Sequence, residues 1–135
     1  MAHWSDAYIG IPYVEGEFDC GELARRVQAE VFGREIKLPS ERWYAGLTGA
    51  AKLAAMRDQI HALQADYASQ TDSPVEGDGV LLVSRGLIDH IGIYCVIAGE
   101  PWILHGTSGA DQVIRTRLRQ LDLAGYRLEG FYRWI

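Results

Sequence analysis

Only two of the 135 residues are cysteine, Cys20 and Cys95, and the chain has no CxxC pair, no HExxH motif and no Gly-rich phosphate loop. Two cysteines do not make a disulfide framework, and in a reducing compartment they stay thiols. The missing motifs give no reason to expect a metal, a nucleotide or any other cofactor. No apolar run approaches the ~20 residues that a membrane-crossing helix needs, so no membrane partner is expected. Basic residues are outnumbered, 13 against 18 acidic, for a formal net charge of −5, and the two signs are interspersed. That balance argues against nucleic acid, whose phosphates want a basic face. The opening, MAHWSDAYIG, has neither a basic nor an apolar signal region, so synthesis in the cytoplasm without a signal peptide is expected. Repeats and low-complexity tracts are absent too, and the length suits a single domain over 1–135.

Three zones carry the pattern that is present. In DCGELARRVQAEVFG, Leu23, Val27 and Val31 form one stripe with Ala24 beside it. Asp19 and Glu22 have the spacing of a capping box, and Gly33 supplies a stop, which puts Cys20 at the first helical position. A second helix is expected in GAAKLAAMRDQIHALQADYA, with Leu53, Met56, Ile60, Leu63 and Tyr67 on its apolar side and Thr48 as its cap. Residues 69–79 read as a loop. Beyond them GVLLVS, HIGIYCVIA, WILHGT, QVIRTRL and LEGFYRWI are short β-branched or aromatic runs, and four or five antiparallel strands are expected. Helices first and strands afterwards make an α+β domain, with N-terminal helices packed on a C-terminal antiparallel sheet.

Cys20 has two readings. Free cysteine is among the most buried residue types and usually packs as a small hydrophobe. At the first turn of a helix, however, free N–H groups and the positive end of the dipole stabilise a thiolate. The same N–H groups can receive the oxyanion of an acyl-transfer intermediate. Asp19 opposes this, because a neighbouring negative charge raises a thiol pKa. Cys95 is the internal control: strand alternation puts it on a core face with Ile91, Ile93 and Ile97, as a packing residue.

Of four histidines, His3 is expected in a frayed terminus and His61 on the polar side of a helix, and neither receives a role. Alternation turns His90 away from the core face of its strand, with Gly92 beside it, and His105 shares a face with Ile103. Singly each reads as structural. With a helix-start cysteine they supply a nucleophile, a base and a group that fixes the base's tautomer. A two-residue turn about Gly99 and Glu100 would place His90 opposite Gly109, a gap of about four residues or ~13 Å from His105. A longer turn that starts earlier, or a bulge, is therefore expected.

The ordered set of a helix-start cysteine after GIPYVEGEFDC, then PVEGDGVLLV, HIGIY and ILHG, resembles the NlpC/P60 family of papain-like cysteine peptidases over most of the chain. The resemblance implies that fold, no cofactor, and hydrolysis of the D-γ-glutamyl-diaminopimelate amide in peptidoglycan stem peptides. It implies Cys20 as nucleophile, His90 as general base and then acid, and His105 as the residue orienting His90. Tyr13 is similar to a tyrosine that closes over the nucleophile, and Asp19 to the family's acid before the cysteine, both on the substrate side. Gly21 stands where many bacterial members have serine.

Its size and its ending, YRLEGFYRWI, are similar to those of members carried in phage or prophage tails. That implies other tail proteins as partners and action at the cell wall after delivery. The alternatives are an injected interbacterial amidase effector, a tail component that keeps the fold without hydrolysis, and an acyltransferase on the related lipid-handling architecture. Alkylation near neutral pH, read by peptide mass spectrometry, should label Cys20 and spare Cys95; equal labelling would remove the distinction between the two thiols.

Overall fold

The computed structural model describes residues 2–14, 17–37 and 46–135, with Asp89 described by its backbone alone. β-Branched and aromatic residues crowd the second half of the chain, and strands form there. They are β2 (Gly79–Ser84), β3 (Leu87–Ile97), β4 (Glu100–Thr107), β5 (Gln112–Arg117) and β6 (Arg127–Trp134). A further strand, β1 (Ala68–Thr71), takes the start of the expected loop and pairs with β6, Ala68 opposite Trp134. All pairs are antiparallel, in the order β1-β6-β2-β3-β4-β5. The domain is α+β, as its pattern requires.

α1 (Cys20–Glu30) buries Leu23, Ala24 and Val27 against β3 and β4. Asp19 caps it, its carboxylate accepting from the Glu22 N–H at 2.9 Å. Only that half of the expected capping box is described, since the Glu22 carboxylate meets the Arg25 guanidinium one turn on. Gly33 is left-handed at φ +64°, and Arg34 N–H returns to the Gln28 carbonyl, which ends the helical path where expected.

α2 (Gly49–Ala62) departs further from its pattern. None of its residues is buried, Leu53 is 42% exposed, and Thr48 occupies the cap position without a side-chain bond. Of the expected stripe, only Leu63 is fully buried, at the start of a π turn (Leu63–Tyr67) that unwinds into β1.

The sheet has an apolar cluster on each face. One holds Leu23, Ala24 and Val27 with Leu81, Ile91, Ile93, Cys95, Leu104 and Val113. The other holds Val80, Leu82, Ile103 and Leu121 beneath Tyr126 and the short 3-10 turns that precede it. Asp78, the acid of PVEGDG, is 1% exposed and fixes its loop: it accepts from Val75 N–H and from Arg133, both at 2.9 Å.

The N-terminus is held, not frayed. His3 caps a 3-10 turn (Trp4–Tyr8), and its Nε2 lies 2.7 Å from Glu76, which also accepts from Trp4 and from Val96 N–H. From there residues 10–13 run beside β5, with bonds from Gly10 N–H to Val113 O, Val113 N–H to Ile11 O, and Tyr13 N–H to Asp111 O.

β3 joins β4 through a two-residue turn, Ala98 and Gly99, flanked by the pair Ile97 and Glu100. Both turn residues have positive φ, +53° and +77°, as this tight hairpin requires. The turn is thus neither long nor bulged, contrary to expectation. It begins one residue earlier than a turn about Gly99 and Glu100, and the gap between the two histidines shrinks from four residues to two. A bulge does occur, but between β2 and β3, where the register shifts next to His90. Gly92 lies where β3 and β4 approach closely: a Cβ there would stand 2.4 Å from Ile103 Cγ2 and 3.2 Å from the Leu104 carbonyl oxygen. Gly92→Ala should therefore cost about 1–3 kcal/mol in denaturant unfolding, and an unchanged midpoint would contradict this approach.

Candidate active site

The register of β3 on β4 continues Ile93 opposite Leu104 to Gly92 opposite His105. His90, two residues back on the same face, is then the diagonal neighbour of His105, within reach of ring to ring. The rings meet: His90 Nε2 lies 2.8 Å from His105 Nδ1. The other nitrogen of His105, Nε2, lies 2.8 Å from Thr116 Oγ1 on β5. Tyr126 covers both rings, stacked on His90 at 4.9 Å and 16° and edge-on to His105 at 5.6 Å.

His105 is fully buried and His90 is 9% exposed. Burial, with the charge His105 would carry, pushes the His90 imidazole down to about 3; burial pushes His105 down to about 4. Both are neutral at pH 7. Two neutral imidazoles sharing one hydrogen bond need one donor and one acceptor. In one of the two arrangements His90 Nε2–H donates to His105 Nδ1 and His105 Nε2–H donates to the Thr116 hydroxyl. His90 Nδ1 is then unprotonated. It has no hydrogen-bond partner among the described residues.

His90 and Tyr126 form part of the wall of a cavity of about 530 Å³. Ser84 and Arg85 close one side, the end of β4 and the turn after it (106–110) close another, and Tyr13, Ile114 and Ala124 line the rest. The Tyr13 ring reaches this place because residues 10–13 track β5; it lies 3.5 Å from where a Gly106 Cβ would be.

The expected constellation is therefore assembled in part. His90, His105 and Tyr13 converge, and the two histidines bond each other through Nε2 of His90. Cys20 is at the first position of α1, half-buried against the cluster on the opposite face of the sheet. It does not line the cavity, and neither imidazole has a described bond to its thiol. Asp19 is fully buried in its capping role. His61 is exposed, as expected. Cys95 is fully buried, with its thiol pushed up to about 12 by burial first, the behaviour of a packing residue.

Thr116 and Tyr126 were not legible beforehand. Alternation does put Thr116 on the face of Ile114, but only the β4–β5 pairing, His105 opposite Ile114, brings it under His105. Tyr126 sits in a turn, where no periodicity speaks. Among the described residues no group of three or more His, Cys, Asp or Glu could hold a metal ion, and no helix is long and apolar enough to cross a membrane. No family model, no curated protein and no solved structure matches the chain.

The buried pair has a pH signature. Both folded pKa values lie below the ordinary histidine value of 6.5, so the unfolded chain binds more protons as pH falls. The stability held above pH 6.5 is lost progressively towards pH 4 and 3. Thermal midpoints of wild type should already drop between pH 7 and 5, before most carboxylates titrate, and drop less in His90→Gln, whose amide does not titrate. Equal drops in both would show that the pair is not held neutral by the fold.

Proposed function

We propose that the chain is a cysteine peptidase of the NlpC/P60 kind, with the papain-like version of the α+β fold, that cleaves the D-γ-glutamyl-diaminopimelate amide of peptidoglycan stem peptides. Delivery by a phage or prophage tail is part of the same reading. The observation that carries it is the buried hydrogen bond between His90 and His105 beside a cavity of substrate size; with His90 Nε2–H as its donor, His90 Nδ1 is available as a base.

In this reading the Cys20 thiol gives its proton to His90 Nδ1, and the thiolate attacks the stem-peptide carbonyl. Backbone N–H groups at the start of α1 hold the oxyanion. His90 returns the proton to the leaving amine, and water then releases the acyl group from sulfur. His105 accepts the Nε2–H bond throughout, passing its own N–H to Thr116, and so orients the base. Tyr13 bounds the substrate, and Asp19 serves through the helix it caps. The reading requires the thiol and Nδ1 to come together in the substrate complex.

The placement of Cys20 against the opposite cluster favours a second reading, a tail component that keeps the fold and hydrolyses nothing. Mass spectrometry of purified muropeptides separates the two. Wild type should release fragments ending at D-γ-glutamate, and Cys20→Ala should be slower by several orders of magnitude. Among His105 variants, Gln should lose less than Ala, because its amide still accepts the Nε2–H bond. Intact muropeptides after incubation with wild type would leave the inert component as the better account; unchanged hydrolysis by Cys20→Ala would end the role of the thiol.

A further inference from the structure

The β2–β3 hairpin turns on Arg85 and Gly86, with Ser84 opposite Leu87. Arg85 has φ +53°, a left-handed conformation that such turns normally give to Asn, Asp or Gly. The two-residue turn requires that state, as it does at Ala98, and it sets Arg85 at the rim of the cavity. Arg85 is exposed, and it lines the cavity beside His90. Arg25, Arg115, Arg117, Arg119 and Arg133 each meet a carboxylate of this chain. Arg85 has neither an ion pair nor a hydrogen bond among the described residues.

The rest of the described wall consists of hydroxyls, glycines and small apolar groups, with no acid on it, and both site histidines are neutral at pH 7. An unpaired guanidinium is then the one fixed charge on that wall among the described residues. An anionic group of a ligand in the cavity would be its counterpart. Arg85 stands three residues beyond Leu82, which pairs with His90, so it lies roughly 10 Å along the strand from the base. A long side chain folding back over the cavity covers most of that span. The charge would then sit a few bonds from the reacting carbonyl, on the acyl side or the amine side of the amide.

Resting on the hydrolase reading above, we propose that Arg85 determines specificity by binding the free α-carboxylate of the glutamyl residue whose γ-amide is cleaved. A guanidinium and a carboxylate form paired, charge-assisted hydrogen bonds, which an amide in place of the carboxylate cannot reproduce. The site thus prefers stem peptides with free glutamate over those amidated at that position.

The test is calorimetric titration of the tripeptide L-alanyl-D-γ-glutamyl-diaminopimelate, with the α-carboxylate free or amidated, into Cys20→Ala protein so that binding is read without turnover. The free form should bind about 10-fold tighter. Adding Arg85→Gln should erase that preference while leaving affinity for the amidated form unchanged, and Arg85→Lys should restore part of it. Equal affinities for the two peptides, or no binding of either, would overturn the proposal. So would a loss shared equally by both peptides in Arg85→Gln, which would assign the contact to the diaminopimelate carboxylates. Hydrolysis by wild type without carboxylate selectivity would overturn this inference alone; selective binding without hydrolysis would overturn the peptidase reading alone.

Discussion

Two residues with positive φ, Ala98 and Gly99, set the pairing of β3 with β4, and that pairing decides which imidazole meets which. Side chains alternate faces along a strand, so a slip of one residue on β4 would turn His105 into the opposite cluster. A slip of two that widened the gap would preserve the face but move the rings roughly 7 Å further apart, beyond any hydrogen bond. The observed turn places Gly92 across from His105, and the missing side chain lets β4 come close enough for the diagonal contact. Tyr126 lies flat on His90 and edge-on to His105. Burial, neutrality and tautomer all descend from this one choice of register.

Its second effect is to separate two chemistries. Cys20 packs with α1 against one apolar cluster, whereas Tyr126, which covers the two imidazoles, packs against the other. Such burial lowers the basicity of an imidazole, because a charged ring there would lack solvent. A neutral histidine of this kind charges readily only when an anion forms beside it. The arrangement therefore suits a proton transfer that makes both charges together, and it holds no standing imidazolium between turnovers.

Much of this organisation was legible in the residues. The five strand segments fall on β2 to β6, because their β-branched runs are bounded by Gly, Pro and Asp. Cys95 and His90 take opposite faces of β3, as the period of two demands. The features that escaped are those set at a distance. Ala68 enters a strand because β6 is there to receive it, although its neighbours are polar. His3 is anchored by Glu76, 73 residues away, and no local pattern announces such a partner. The α2 stripe has the right spacing but covers little, since the sheet beneath it is already occupied by α1. For the site, residue types and faces could be read directly, whereas the nitrogen used by His90, the support from Thr116 and the distance of Cys20 depend on register and packing.

Residues 10–13 bring a last consequence. A sheet edge offers a row of unsatisfied N–H and C=O groups to any passing strand, and natural proteins hide such rows to avoid joining edge to edge. Here the bonds of Gly10 and Ile11 occupy the outer groups of Val113, and that of Tyr13 the carbonyl of Asp111 just before the strand, so this short segment guards the start of the β5 edge. The same residues carry Tyr13 to the cavity wall. Colloidal behaviour and the shape of the site are thus vested in one stretch of backbone, and a chain stripped of its guard would become adhesive at the moment its cavity lost a wall.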